Sequence, residues 1–239
     1  MLTNKDVHEI IARQLAKNLN CGISDLQGTD KKNVVLTAGE PYNFCHLVCF
    51  KNNIVASVDE KIKRFIDSLI LDKEGYRCLE LISPLAIELE KYSKSIGLYE
   101  AFVPDISANR QVTPNFDPII YWGNDVAKLY DDKNFGMALS YTTEGKKADA
   151  VAVAGYINGK IIGVAGASRD YDKMWCMGYD VVHEYRNKGV ATALGKIMTA
   201  LIIDKDIVPY ATLAWSNIAS KNTLINIGYK SAWTAIGEQ

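Results

Sequence analysis

Two runs of small and β-branched residues, ADAVAVAGYI (148–157) and KIIGVAGASR (160–169), stand on either side of Asn158-Gly159. Asn-Gly readily takes the left-handed backbone that a two-residue hairpin requires, and runs this rich in Val, Ile and Ala favour strands. The middle of the chain is thereby committed to an antiparallel sheet. A third strand-like run, MWCMGYDVV (174–182), leads into HEYRNKGVATALGKIM (183–198), which pivots on Gly189 into an apolar-periodic stretch without proline. We read a helix from about Gly189 to Ile203, a strand YATLAWS, a helix from Asn217 to about Ile227 stopped by Gly228, and a last strand KSAWTAI. The order β, β, β, loop, α, β, α, β predicts a mixed α/β sheet.

The preceding half is organised differently. VHEIIARQLAKNL places Val7, Ile10, Ile11, Leu15 and Leu19 on one helical face. Phe44–Phe50 and Ile54–Val58 form a hairpin-like pair around Lys51-Asn52-Asn53, and Ser57 to Glu60 opens a helix running to about Leu71. Pro84 suits the first turn of another helix, expected to reach Ile96 with Gly97 just beyond it. VPDISANRQVTPNFDP, residues 103–118, holds three of the six prolines and reads as a connector. The expected division is a smaller α+β domain over 1–110, its role unassigned, and an α/β domain over 111–239.

Composition narrows the function classes. Lys and Arg total 27 against 28 Asp and Glu, so no net field attracts nucleic acid or an anionic membrane. No stretch approaches the roughly 18 apolar residues of a membrane span, and the opening MLTNKD has no signal-peptide pattern. A cytoplasmic protein is expected. The cysteines, Cys21, Cys45, Cys49, Cys78 and Cys176, are odd in number and irregular in spacing, as reduced core thiols are. Cys45, His46 and Cys49 lack an evident fourth metal ligand, and no metal is expected.

Gly189 needs a reason to stand between a basic tripeptide and a helix. A strand feeding a loop and a helix aims the helix's first unpaired N–H groups, with the helix dipole, at one place, which makes an anion site. Arg186, Asn187 and Lys188 before the glycine, and Val190 and Ala191 after it, can curl their amides around a phosphate-sized group. A glycine admits that group without a Cβ in the way. The spacing is neither Gly-x-x-x-x-Gly-Lys-Ser/Thr nor Gly-x-Gly-x-x-Gly, which excludes the nucleotide P-loop and the dinucleotide fingerprint here. An ordinary strand-to-helix turn with solvated basic residues remains the alternative on these residues alone.

Tyr185-Arg-Asn-Lys-Gly-Val-Ala-Thr192 resembles the Arg/Gln-x-x-Gly-x-Gly/Ala pyrophosphate loop of the GNAT superfamily of acyl-CoA-dependent N-acyltransferases. WSNIASKNTLINIGY resembles that superfamily's Asn-x-x-Ser/Ala segment ending in Gly-Phe/Tyr, here Asn217, Ser220, Gly228 and Tyr229. The resemblance covers about residues 115–239. It implies a GNAT-like mixed, mostly antiparallel sheet flanked by helices, with acetyl-CoA as cosubstrate and a primary amine of a small molecule or a protein as acceptor. It also implies that Tyr179, Val181 and Val182 lie along the pantetheine arm. Arg186, Asn187, Lys188, Gly189, Val190, Ala191 and Thr192 would then hold the pyrophosphate, and Asn217 and Ser220 would reach the pantetheine and sulfur. An added N-terminal domain also occurs in GNAT relatives that include antibiotic self-resistance enzymes.

Amine acylation by a thioester needs a neutral amine, a polarised carbonyl and a proton for the departing thiolate. A lysine-like amine is unprotonated in only about one part in two thousand at pH 7. The family's usual proton donor is a tyrosine seven residues after the Asn of the Asn-x-x-Ser segment; here that position is Leu224. Asp180, Asn217 and Ser220 are therefore the candidate catalytic set. Asp180 is a base, a holder of a cationic substrate, or a satisfied carboxylate at a strand end; Asn217 and Ser220 cap a helix, reach the sulfur, or both. His183 and Glu184 are further loop candidates. Ser168–Trp175 lines an acceptor pocket or is a plain hairpin loop, and Trp175, Trp215 and Trp233 are expected mostly in the core. Leu224 favours a second reading, an acyl-CoA-binding regulator or pseudoenzyme with an N-terminal partner-binding module.

Overall fold

The computed structural model describes residues 2–27, 33–37 and 44–238. In chain order the elements are α1 (Asn4–Leu19), α2 (Ile23–Gln27), β1 (Val34–Thr37), β2 (Cys45–Phe50), β3 (Asn53–Val58), α3 (Glu60–Ile70), a 3-10 turn Gly75–Leu81, α4 (Ile82–Glu90) and β4 (Ile96–Pro104). There follow β5 (Asp117–Trp122), 3-10 turns Gly123–Leu129 and Lys133–Phe135, β6 (Asp149–Ile157), β7 (Lys160–Ser168) and β8 (Met174–Val181). A 3-10 turn His183–Tyr185, α5 (Val190–Ile203), β9 (Val208–Ala214), α6 (Ile218–Ile227) and β10 (Tyr229–Glu238) complete the chain. No described helix is long and apolar enough to cross a membrane.

These elements make two compact units whose segments interleave. One holds the segment up to Val7, Phe102–Thr212 and Asn217–Lys230; the other holds His8–Ala101, Leu213–Ser216 and Ser231 onward. Each unit thus draws residues from both sides of position 110.

In the first unit the strand order is β9-β8-β7-β6-β5. β5, β6, β7 and β8 pair antiparallel in succession, whereas β8 and β9 are parallel. The sheet is therefore mixed and mostly antiparallel, GNAT-like as the resemblance implies. The β6–β7 turn uses the expected pair, with φ of 50° at Asn158 and 75° at Gly159. α5 packs on β6, β7 and β8, burying Val190, Leu194, Met198 and Ile202. A second layer joins Val126, Leu129, Phe135, Ala138 and Leu139 to Ala152, Ala154 and Val164.

In the second unit the order is β1-β3-β2-β10, with β1 parallel to β3 and the other pairs antiparallel. Asp59 caps α3 by accepting from the Lys61 amide at 2.9 Å, which satisfies one of the helix's unpaired donors. Ile62, Ile66 and Ile70 of α3, with Leu81, Leu85 and Leu89, bury Leu47, Ala56, Val58 and Ile236. At about 25 cal/mol per Å² of apolar surface, six such side chains are the main favourable contribution on this face.

Two expectations are corrected. The helix beginning near Pro84 ends at Glu90, not Ile96: Ser93 turns left-handed (φ 57°), and the Lys94 amide bonds back to the Leu89 carbonyl at 3.1 Å. Ile96 and Gly97 then begin β4, where Ile96 and Leu98 pack against the α3 core. Trp175 and Trp233 are each 8% exposed, but Trp215 is 47% exposed. It lies just past the end of β9, its amide bonded to the Leu98 carbonyl at 2.9 Å.

Candidate active site

β8 and β9 pair only from Met174↔Val208 to Cys176↔Tyr210. β8 then continues to Val181, held on its other side by β7 through Gly163↔Val181. Along Met177–Val181 the edge facing away from β7 carries alternating N–H and C=O groups beyond the reach of that parallel pairing. An extended chain of amides, such as a pantetheine arm, is the kind of ligand that such an edge binds. Tyr179 and Val181 stand on this segment, and Val182 follows it, its amide bonded to the Ile162 carbonyl at 3.0 Å.

From Val181 the chain makes the 3-10 turn His183–Tyr185 and reaches Gly189, the N-terminal cap of α5. Asn187 (φ 58°) and Gly189 (φ 78°) are both left-handed. A Cβ on Gly189 would meet no protein atom, so the glycine answers to backbone conformation and leaves the loop surface open. The Arg186 Nε donates to the Val181 carbonyl at 3.0 Å, which ties the loop to the end of β8. The Lys188 ammonium lies 5.5 Å from the Tyr185 ring centre. Arg186, Asn187, Lys188 and Gly189 are all exposed. The first intrahelical bond runs from Ala193 to the Gly189 carbonyl at 3.0 Å, so Val190, Ala191 and Thr192 present amides without an intrahelical acceptor. Residues 185–192 contain two cations and no carboxylate. This donor set fits a diphosphate.

Asn217 caps α6, its Oδ1 accepting from the Ser220 amide at 3.1 Å. The Tyr179 hydroxyl donates to the Ser220 carbonyl at 3.0 Å. Burial raises the Tyr179 pKa, partly offset by hydrogen bonds with Ser220 and Thr223, so the group stays a protonated donor at neutral pH. Tyr179, Asn217 and Ser220 are thus brought together. Leu224 is 1% exposed and belongs to the core.

Asp180 points elsewhere. Its Oδ2 accepts from the backbone amides of Met137 and Ala138, at 2.7 and 3.0 Å. That segment crosses the sheet where β7 and β8 carry glycines. A Cβ on Gly166 would lie 2.0 Å from the Ala138 carbonyl oxygen, and one on Gly178 would lie 1.8 Å from that of Met137. A buried carboxylate on β6 fixes the same segment further on: Asp149 accepts from the Ser140 amide at 2.9 Å and the Tyr130 hydroxyl at 2.8 Å. Met137 itself is 78% exposed beside this clamp. Residues 133–140 escaped the sequence reading; the available signal was a glycine inside each of two strands, a mark of close backbone approach.

His183 and Glu184 are exposed on the loop. The Ser168–Trp175 turn closes on itself, with the Tyr171 amide bonded to the Met174 carbonyl at 3.0 Å. It borders a pocket of about 560 Å³ that includes Lys146, Arg169, Asp170, Asp172 and Trp175. Among the described residues, no three His, Cys, Asp or Glu side chains come together as a metal site.

Residues 120–222 match the model of the Acetyltransferase (GNAT) family. The matched residues run from β5 into α6, with a further region of the chain before them. No curated protein matches the chain by sequence. Among solved structures, a putative GNAT acetyltransferase from Novosphingobium aromaticivorans is similar at 17% identity and a TM-score of 0.44, covering 60% of this chain and 64% of its own. A GCN5-related N-acetyltransferase-like protein from Streptococcus suis is similar at 13% identity and a TM-score of 0.48, over 64% of this chain and 66% of its own. A GCN5-related N-acetyltransferase from Kribbella flavida is similar at 15% identity and a TM-score of 0.44, over 65% and 63%. The chain spans less than two thirds of each of these proteins.

Proposed function

We propose that this protein is an N-acetyltransferase that moves the acetyl group of acetyl-CoA to a primary amine, of a small molecule or a protein, in the cytoplasm. The observation that carries this reading is the parallel β8–β9 pair, joined for three residues and then open, with β8 leading into the exposed, amide-rich start of α5. Bound acetyl-CoA would supply the activated acyl group. The backbone of Tyr179–Val182 holds the pantetheine, Arg186 to Thr192 hold the pyrophosphate, and Asn217 and Ser220 flank the sulfur end. Asp180 takes the amine's proton through Oδ1 or an ordered water, while Oδ2 keeps its two amide donors. The test is calorimetry with acetyl-CoA, followed by thiol release with a panel of amines. Binding and amine-dependent release support the reading; absence of binding overturns it.

A second reading rests on Leu224, buried where the family's acid stands: a CoA-binding regulator whose residues 1–110 engage a protein partner, while residues 111–239 bind the cosubstrate. Acetyl-CoA binding without release by any amine favours that alternative.

A further inference from the structure

The second unit holds two thiols that share one pocket wall and one buried cluster: Cys49, near the end of β2, and Cys78, in the turn Gly75–Leu81. Backbone tethers hold that turn to the hairpin carrying Cys49. The Gly75 amide donates to the Asn52 carbonyl at 2.9 Å, and the approach is so close that a Cβ on Gly75 would lie 2.9 Å from the Asn52 carbonyl carbon. Asn33 fixes the chain leading into the turn: its amide nitrogen donates to the Ile70 and Lys73 carbonyls at 2.5 and 2.6 Å, and its Oδ1 accepts from the Ile54 amide at 2.8 Å. The proximity of the thiols is therefore built by the backbone on both sides.

These thiols also have an approach from outside. Cys49 and Cys78 are 6% and 7% exposed, and both line a pocket of about 360 Å³ with Lys51, Tyr76, Trp215 and Trp233. Cys45, on the same strand, is 0% exposed and lines no part of it. The pocket thus joins a vicinal dithiol to an ammonium group and aromatic walls, a setting that admits a small anionic molecule.

We propose that Cys49 and Cys78 are an oxidation site that closes to an intrachain disulfide when a small disulfide enters this pocket. Cys78 is the attacking thiol. The neighbouring Cys49 thiol, helped by the backbone amides of Cys78 and Leu79, holds its pKa below the ordinary thiol range against the effect of burial. Cys49, beside Cys78 and buried, is shifted upward. The Cys78 thiolate, its proton passed to solvent, attacks one sulfur of the small disulfide; a mixed disulfide forms and one small thiolate leaves. Cys49 then loses its proton to solvent and attacks the Cys78 sulfur, expelling the second small thiolate. Two protein S–H bonds become one S–S bond, and the small disulfide is reduced to two thiols.

The experiment treats the full chain with oxidised glutathione, quenches with acid, alkylates the remaining thiols and maps the peptides by mass spectrometry. The expected result is a cross-linked pair of peptides containing Cys49 and Cys78, two fewer alkylated cysteines, and no lasting glutathione adduct on Cys78. Cys49→Ser should trap that adduct, and Cys78→Ser should leave Cys49 unmodified. The wild-type protein decides the matter even if a variant fails to fold. An adduct that accumulates on wild-type Cys78 without the cross-link, or both cysteines alkylated as fully as before oxidation, overturns the proposal. Neither outcome depends on acetyl transfer.

Discussion

Gly166 of β7 lies directly across from Gly178 of β8, and the backbone of Met137–Ala138 passes over both. The two glycines form a shallow seat in the sheet, and Asp180 two residues on supplies the acceptor that keeps the segment there. Gly178→Ala should lower stability by about 1–3 kcal/mol, the usual cost of overpacking, as read from urea unfolding. Gly136→Ala is the control, since a Cβ there meets nothing. Equal effects of the two substitutions would mean that the seat is not a tight contact.

Asp180 separates two roles by substitution. Asp180→Asn keeps an oxygen for the Met137 and Ala138 amides but cannot accept a proton from the amine. The initial rate of thiol release should fall by about 10² or more, within the general-base range, with an altered pH profile. Should Asn be tolerated and only Ala fail, Asp180 holds the segment and takes no proton.

How far this site was legible from the sequence follows from what fixes each part. Gly189, Asn217 and Gly228 do local jobs, a left-handed cap, a side-chain cap and a left-handed stop, and local chemistry leaves a local trace. The clamp on residues 137–138 depends on Asp180, 43 and 42 positions away, so nothing within the segment announces it. β4 was hidden for a related reason: Ile96 and Leu98 extend the apolar spacing of α4, and only the left-handed Ser93 breaks the helix before them.

Gly189→Val tests the cosubstrate loop. A β-branched residue at φ 78° costs roughly 1–2 kcal/mol in backbone strain, and the loop is exposed, so the fold should persist while acetyl-CoA binding is lost. Circular dichroism checks the first and calorimetry the second. Unchanged affinity would remove the pyrophosphate assignment.

Leu224→Tyr asks whether the missing acid limits the rate. An ordinary thiol has a pKa near 8.5, so the thiolate can leave unassisted, and the gain should stay below about tenfold, or about 1.4 kcal/mol of barrier. Because Leu224 is buried, the larger ring should also lower the unfolding midpoint in urea. A rate gain well above tenfold would show that protonation of the thiolate is limiting in the wild type.

The chain passes from one compact unit to the other after Val7, Ala101, Thr212, Ser216 and Lys230. Cutting it once, in the connector, would therefore not release two self-sufficient pieces. A fragment of residues 1–110 would lack the stretch of β10 that pairs with β2 from Trp233↔Phe50 to Gly237↔His46. It would expose a bare, apolar strand edge, which recruits other chains indiscriminately. Any search for a protein that binds this half of the molecule is better run with the intact chain as bait, because the fragment would be adhesive for reasons unrelated to its biology.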